Sequence, residues 1–458
     1  MTESHNSSRW NRREYLKVGP AAIMLGAAGC LGDDDGSNGD GNGNGNGNGE
    51  VDWRDEVEEI EFLTWQLDFL EQSAQGWASD FEDEHGVRAE WIDRPAEEFI
   101  QWFQSRVGSG DPPAAVNTPY VWYNQFSMDG VFADVESYVS DDLMATFEDR
   151  FGTEVLEQLE LDGTLYGLPW YDATNTMYFN QGFFDDAGLD LGFDNPWSFP
   201  DFLDEMEMAY EETDAEWGWT GTTEEQYPWF LPYLRGWDPH IDLLTDDMSD
   251  VAFDNEHTVE LLSEIQRHTE EGIVPDLTWT ERKQPQASHF AAGETVALLS
   301  DSSLFRVVAN EGDWVDADSL GVTSWPLNPH AVDPMLWSAT SQRSDAEKIA
   351  AHHFIEVPTN MKWSEDFLRN TTVLMNTVEA NQQLANDEEF VENNPILAML
   401  YEQYFAAAEG GNVYAPPPHE DLGEISDTVG TEFTSAFLGE KDPEQAVEDA
   451  ARNARQFL

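Results

Sequence analysis

The sequence has little cysteine and little positive charge. Its 458 residues include one cysteine, Cys30, and only 21 lysines and arginines against 92 aspartates and glutamates. One cysteine cannot form a disulfide within the chain, so the fold depends on its hydrophobic core. The scarcity of basic residues leaves no positive stripe that could neutralise phosphates, which excludes nucleic acid as a partner. No apolar run reaches the roughly 20 residues that a membrane-spanning helix needs.

Motifs for several kinds of enzyme chemistry are also missing. The chain contains no phosphate-binding P-loop and no Gly-x-Ser-x-Gly nucleophile turn. His352 and His353 are adjacent, and neighbouring side chains on a helix point apart, so they make a poor metal site. Acidic pairs occur along the whole chain and therefore identify no catalytic pair. We predict a non-enzymatic protein without a metal or cofactor, and a surface glycoside hydrolase is the alternative class.

The N-terminal segment combines a pair of arginines, a short apolar run and the cysteine, in that order. Arg12 and Arg13 begin a sequence that resembles the twin-arginine export motif, and the run from Val18 to Gly29 is too short to span a bilayer. The residues before Cys30 resemble a lipobox, in which small side chains fit a peptidase and the thiol receives lipid. We predict a signal peptide at residues 1–29 and a lipid anchor on Cys30 that holds the protein at the outer face of the cytoplasmic membrane.

Residues 30–52 follow as a segment rich in glycine, asparagine and aspartate. This segment has almost no apolar side chain to bury. About 20 Gly-rich residues have an r.m.s. reach on the order of 25 Å. We predict a flexible tether between the lipid and a globular body.

Negative charge dominates the rest of the chain. Without residues 1–29 the chain has 90 acidic and 17 basic residues, a net charge of −73. Repulsion on this scale opposes a compact state in dilute buffer, but salt at about 1 M reduces the screening length to roughly 3 Å. The acids are spread along the chain, whereas a binding surface for a cationic partner would concentrate them in one segment. The composition therefore predicts a protein adapted to extreme salinity.

The globular part begins with alternating strand and helix patterns. Residues 60–65 and 87–92 have the pattern of strands, and residues 69–85 and 96–107 have apolar side chains at helical spacing. Gly86 follows the first helix, where a C-terminal glycine is expected. Repeated strand–helix units predict an α/β fold with parallel strands. Aromatic residues make up 12% of the chain, which is sufficient for a large core, and the length predicts two or three lobes.

Seven short motifs follow one another along the globular part of the chain. They are Gly108-Ser-Gly-Asp-Pro-Pro-Ala-Ala-Val, Gly130-Val-Phe-Ala-Asp-Val, Asp162-Gly-Thr-Leu-Tyr-Gly-Leu-Pro with Met177-Tyr-Phe-Asn, Phe183-Phe-Asp-Asp-Ala-Gly, Asn195-Pro-Trp-Ser-Phe, Phe290-Ala-Ala-Gly-Glu-Thr-Val-Ala-Leu and Phe437-Leu-Gly-Glu-Lys-Asp-Pro-Glu-Gln-Ala. In these motifs and their order the chain resembles a known family, the extracellular solute-binding proteins of ABC importers, in the group related to maltose-binding protein. The resemblance spans residues 58–458.

This resemblance implies a two-lobed periplasmic-binding-protein-like fold, in which each lobe is a mostly parallel sheet flanked by helices. Three crossings between the lobes imply hinges near Pro169, near Leu336 to Thr340 and near Asn393, and the lobes close on a ligand. The resemblance also implies a monomer that delivers a small-molecule solute to the permease subunits of an ABC importer. The implied lobes are residues 58–168 with 340–392, and residues 169–335 with 393–458.

The predicted ligand site lies at the carboxyl ends of strands, where open α/β sheets bind their ligands. Sugars need flat aromatic rings for their C–H faces and polar side chains for their hydroxyls. Tryptophans at strand ends or crossings are therefore the leading candidates. The predicted ligand-binding residues are Trp65, Gln66, Asp68, Asn117, Tyr120, Trp122, Trp170, Tyr171, Asp172, Asp301, Ser302 and Trp337.

The sequence departs from the family where maltose-binding protein has stacking tryptophans in its second lobe. Ser302 to Phe305 occupies one of these segments, and Asp421 to Ile425 near the other has no aromatic residue. Maltodextrin specificity therefore does not transfer, and the aromatic segment with Tyr227, Trp229, Tyr233 and Trp237 could supply a replacement wall. Within the binding class a mono- or oligosaccharide is the predicted ligand, and ferric iron and a polyamine are its alternatives.

Overall fold

The computed structural model describes most of the chain from residue 52 onward. Arg12, Arg13, Cys30, Gln66 and Asp68 lie outside the described residues, as does nearly all of the tether, so what the sequence predicts for them stays a prediction. The described residues are 52–65, 70–189, 197–221, 229–245, 247–281, 283–315, 319–324, 330–371, 373–394, 413–414, 416–417, 419 and 421–458.

Helices and strands alternate along the described chain. The strands are β1 Glu59–Trp65, β2 Arg88–Arg94, β3 Ala115–Pro119, β4 Leu168–Asn180, β5 Trp217–Gly221, β6 Thr295–Asp301, β7 Leu320–Ser324, β8 His330–Ala339, β9 Leu374–Met375 and β10 Val413–Tyr414. The α-helices are α1 Leu70–His85, α2 Ala96–Ser109, α3 Tyr120–Met128, α4 Asp141–Phe151, α5 Thr153–Gln158, α6 Gln181–Ala187, α7 Phe199–Glu212, α8 Leu231–Trp237, α9 Glu256–Glu270, α10 Leu277–Thr280, α11 Lys283–Ala291, α12 Phe305–Glu311, α13 Asp345–Thr359, α14 Met361–Asn370, α15 Val378–Ala385, α16 Glu388–Asn393, α17 Leu422–Phe437 and α18 Pro443–Ala454. Two 3₁₀ helices span Trp53–Asp55 and Ser302–Leu304.

The first lobe is built on a sheet with the strand order β2-β1-β3-β8-β4. β1 runs parallel to β2 and β3, whereas β8 is antiparallel to β3 and β4 and parallel to the short strand β10. Large aromatic residues fill the space between this sheet and its helices. Phe62 packs on Phe354 of α13 with ring centroids 4.2 Å apart, and Trp77 of α1 and Trp337 of β8 complete the cluster.

Two long strands, β4 and β8, connect the lobes. Residues 168–174 of β4 pair with β8, and residues 175–180 pair with β6 and β7 of the second lobe. The strand therefore changes sheets between Thr174 and Asn175, several residues beyond the hinge predicted near Pro169. Met335 to Ala339 of β8 pair with β3, so these residues lie in the sheet of the first lobe. Antiparallel crossing strands of this kind are not expected from a strand–helix–strand pattern.

The second lobe continues the sheet through β4, β6 and β5, and β5 and β6 are parallel. Its core is again aromatic. Trp219 lies within 5.6 Å of Phe202 and 5.8 Å of Trp279, measured between ring centroids. The C-terminal helices α17 and α18 pack on α9 of this lobe. The two-lobed α/β architecture predicted from the sequence is confirmed, with a larger antiparallel share than expected.

Local signals in the sequence explain where several elements end. α1 ends at His85, and Gly86 follows with φ 72°. Gly163 has φ 75° in the turn before β4, a conformation that glycine adopts without steric cost. At Gly167 a Cβ atom would lie 2.5 Å from Ser338 Oγ, so the close approach of two strands requires glycine there. Among the described residues, no helix is long and apolar enough to cross a membrane.

Candidate ligand-binding site

The strand ends of the two lobes converge on the segment of β4 that changes sheets. Pro119, at the end of β3, is opposite Met335, and Met335 is opposite Tyr171 of β4. From the other lobe, Asp301 at the end of β6 is opposite Asn175 of β4. The carboxyl ends of β3 and β6 therefore lie on either side of the crossing. A ligand held between these ends contacts both lobes.

Trp65, at the carboxyl end of β1, is partly exposed. The ring stacks on Phe99 of α2, with centroids 4.6 Å apart and planes 10° apart, and on Trp122 of α3, at 5.2 Å and 17°. Phe99 and Trp122 are themselves buried, which fixes the orientation of the Trp65 ring. The result is a rigid aromatic surface at the edge of the first lobe, suited to the C–H face of a sugar.

Trp170 and Trp337 are buried, whereas the sequence predicts that they contact the ligand. Trp337 has no exposed surface and Trp170 is 1% exposed. Their ring centroids are 5.4 Å apart, and Trp77 lies 5.4 Å from Trp170 and 6.2 Å from Trp337. In this structure both rings belong to the core of the first lobe, because β4 and β8 pass through that core before they cross. Neither ring has a free face on which a sugar could stack.

Asn117 and Tyr120 are also buried rather than presented to the cleft. The Asn117 side chain donates from Nδ2 to the carbonyl oxygen of Leu336 at 3.1 Å, which ties β3 to β8. Tyr120 is 4% exposed, and burial raises the pKa of its phenol, so the group stays neutral.

The crossing region itself carries Tyr171 and Asp172, which are 8% and 5% exposed. Tyr171 packs against Trp170 and Phe367, with centroids 4.8 and 5.3 Å away. Asp172 is opposite Pro334 of β8 and Leu374 of β9, just before β4 changes sheets.

On the second lobe, Asp301 is partly exposed and Ser302 is buried. The hydroxyl of Tyr178 donates to the Asp301 carbonyl at 2.9 Å, which fixes the end of β6. Burial, and after it the charge of Asp301, raise the pKa of Tyr178 well above its usual value. Of these two predicted residues, Asp301 is the one that keeps part of its surface exposed.

A family model decides the relationship of this chain to known proteins. Residues 61–364, well over half of the chain, match the model of the bacterial extracellular solute-binding proteins. The chain belongs to this family. The resemblance inferred from the seven motifs is thereby confirmed.

Individual relatives of this solute-binding protein are distant in sequence. A binding protein of Brucella abortus is 22% identical over 346 residues, which cover 74% of this chain and 77% of that protein. The galactooligosaccharide-binding protein of Bacillus subtilis is 19% identical over 410 residues, 86% and 89% of the two chains. Among solved structures, an ABC substrate-binding protein of Listeria monocytogenes in complex with cycloalternan superposes with a TM-score of 0.72 at 17% identity. The superposition covers 87% of this chain and 98% of that one.

Sequence reasoning missed two residues of this solute-binding protein near Trp65. Phe99 supports the ring of Trp65, and Arg94 is its partner in register at the end of β2. The sequence pattern ended the second strand at residue 92, whereas β2 extends to Arg94. A search of strand ends therefore stopped two residues short of the arginine.

The aromatic segment proposed as a replacement wall has a different place in the structure. Trp229 is 9% exposed and Tyr233 is fully buried, and both pack in the core of the second lobe near Trp279. Tyr227 lies outside the described residues, and Trp237 is partly exposed at the end of α8. No group of three or more His, Cys, Asp or Glu side chains suited to a metal ion occurs among the residues that the structure describes.

Proposed function

We propose that this solute-binding protein captures a mono- or oligosaccharide between its lobes, releases it unaltered and delivers it to the permease subunits of an ABC importer. The family and the two-lobed fold support a capture role. The names of two relatives, one for galactooligosaccharides and one in complex with cycloalternan, support a carbohydrate.

The observation that carries the proposal is the partly exposed Trp65 on its aromatic support, at the end of β1. β1 pairs with β3, and the end of β3 meets the crossing. A pyranose has one apolar face, and stacking of this face on an indole removes apolar surface from water on both partners. Asp301 on the opposite lobe supplies an acceptor for hydroxyl groups. Aromatic contact from one lobe and polar contact from the other stabilise the closed form when the sugar is bound.

A panel of ligands tests this proposal at high salt. Tryptophan fluorescence and melting temperature are measured with neutral and acidic mono- and oligosaccharides, with ferric citrate and with spermidine. We expect at least one sugar to shift both signals, and chromatography to recover that sugar unchanged. A response to iron or to the polyamine alone would overturn the carbohydrate assignment, and cleaved sugar would favour the glycoside hydrolase.

We also propose that the protein is a twin-arginine-exported lipoprotein of a halophilic cell, held as a monomer at the outer face of the cytoplasmic membrane by lipid on Cys30. The order of Arg12, Arg13, the apolar run and Cys30 supports export and lipidation. The net charge supports a high-salt habitat. Membrane fractionation of a Cys30→Ser variant tests the anchor. Unchanged membrane retention would contradict it.

A further inference from the structure

Arg94 differs from the other basic residues of this acidic chain. Each of the other arginines and lysines whose side chains the structure describes forms an ion pair with at least one carboxylate. Arg106 and Glu61, for example, are 2.6 Å apart, and Arg88 and Glu59 are 3.0 Å apart. Within the described part of the chain, Arg94 has no such partner. With acids this abundant, an arginine that has no carboxylate partner among the described residues needs an explanation.

Arg94 lies next to Trp65, at the edge of the first-lobe sheet where the strands end. Arg94 is the last residue of β2 and is in register with Trp65, the last residue of β1. Residues in register on neighbouring parallel strands present their side chains to the same face of the sheet. Both side chains accordingly meet α2, where Trp65 stacks on Phe99 and the guanidinium of Arg94 lies 4.5 Å from the centroid of Trp102.

The contacts of Arg94 hold the guanidinium in place but use little of its hydrogen-bonding capacity. Nη1 donates to the carbonyl oxygen of Asp93 at 2.6 Å, and the ring of Trp102 supports the planar group. A guanidinium has five N–H donors. The residue is partly exposed, and the hydrogen bond to Asp93 uses only one of these donors.

We propose that Arg94 binds an anionic group of the ligand, and that the solute is an acidic sugar carrying a carboxylate or a sulfate. This inference rests on the proposed function, because it names the class of sugar that the same site takes. The planar guanidinium matches two oxygens of a carboxylate or sulfate. A sugar ring stacked on Trp65 brings such a substituent towards the neighbouring strand end. The strongly acidic surface would otherwise disfavour a negatively charged ligand.

Matched pairs of sugars test this inference. Binding of galacturonate oligomers, of galactose 6-sulfate and of the corresponding neutral galactosides is measured by titration calorimetry at about 3 M salt, where long-range repulsion is screened. We expect at least one acidic sugar to bind about tenfold or more tightly than its neutral counterpart. The carboxylate and sulfate arms identify the anionic group.

Two substitutions on β2 separate a local contact from a general effect of charge. Arg94→Gln should remove the preference for the acidic sugar and leave the affinity for the neutral one within about twofold. Arg88→Gln makes the same change of charge at the opposite end of β2, where Arg88 pairs with Glu59, and should keep the preference.

The outcomes distinguish this inference from the function on which it rests. Neutral sugars that bind as well as acidic ones, or a preference that survives Arg94→Gln, would overturn the role of Arg94 and leave sugar capture intact. If neither acidic nor neutral sugars bind, sugar capture fails and the inference fails with it.

Discussion

Trp337 illustrates how strongly the surroundings of a residue decide its role. The side chain has no exposed surface and lies within 6.4 Å of the rings of Phe62, Trp77, Trp170 and Phe354, measured between centroids. Trp65 has the same side chain but ends a strand at the edge of the lobe, where one part of the ring is supported and another is exposed. The same residue type is therefore part of the core at one position and partly exposed at the other.

The substitution Trp337→Ala tests the core role. We expect it to lower the free energy of unfolding by about 3–5 kcal/mol, because it removes a large buried ring and leaves a cavity. Chemical unfolding at high salt measures the loss, and Trp65→Ala serves as the comparison with a smaller expected loss. A loss below about 1 kcal/mol together with lost sugar binding would contradict the core role and would indicate that Trp337 contacts the ligand.

At the scale of elements, helices α1 and α14 pack so closely that α1 requires a glycine where the two helices meet. A Cβ atom on Gly76 would lie 2.0 Å from Cη2 of Trp363. The Trp363 ring is held by a hydrogen bond from Nε1 to Asp80 Oδ2 at 2.8 Å and by the nearby Lys362 ammonium, 4.4 Å from its centroid. The ring can therefore give way only by losing these contacts.

We expect Gly76→Ala to destabilise the protein by about 1–3 kcal/mol, because overpacking outweighs the better helix propensity of alanine. Gly108 of α2 offers a matched control, since a Cβ atom there has no neighbour within 4 Å. Gly108→Ala should be neutral or stabilising by up to about 1 kcal/mol. Thermal melts of both variants measure the difference, and equal shifts in the two would contradict close packing at Gly76.

The elements of the first lobe were largely predictable, because their signals are local. Periodicity located α1 and α2, and Gly86 marked the end of α1. The crossing strands were not predictable in the same way, since β4 changes partners at a position that depends on residues over 100 positions away. For the same reason the burial of Trp170 and Trp337 could not be inferred from their sequence positions, although family likeness correctly indicated the two-lobed fold.

At the scale of the whole molecule, buried histidines make stability depend on pH. His268 and His352 are almost completely buried, and burial lowers the pKa of each to about 4. His352 donates from Nδ1 to the Lys348 carbonyl at 2.8 Å, and His268 Nδ1 accepts from Trp219 Nε1 at 3.3 Å. Both rings are therefore neutral in the folded protein over most of the accessible pH range.

Because unfolding restores an ordinary histidine pKa near 6.5, the unfolded chain binds protons first as pH falls. The stabilisation from the neutral rings is complete above about pH 6.5 and is lost as the pH falls from there through about 4. For each histidine the loss is at most about 1.4 kcal/mol per pH unit. Unfolding at several pH values should show a shallower slope for His352→Gln than for wild type. Equal slopes for wild type and His352→Gln would contradict the buried neutral ring.

The net charge of the molecule makes its stability depend on salt. A chain with 90 acids and 17 bases beyond residue 29 should gain several kcal/mol of stability, or roughly 10 °C or more in melting temperature, between about 50 mM and about 3 M salt. Calorimetry over a salt series measures this gain. Coincident melts at the two extremes would contradict the adaptation to high salinity.

The central claim, that Trp65 forms the sugar-binding surface, is tested most directly by titration calorimetry of Trp65→Ala with the sugar that binds wild type best. The control is Trp217→Ala, which removes another partly exposed tryptophan at the amino end of β5, away from the strand ends that meet the crossing. Loss of the stacking contact predicts weaker binding by about 1–3 kcal/mol, or roughly 5- to 150-fold, for Trp65→Ala and no change for Trp217→Ala. A folded Trp65→Ala variant that binds the sugar as tightly as wild type would contradict the claim.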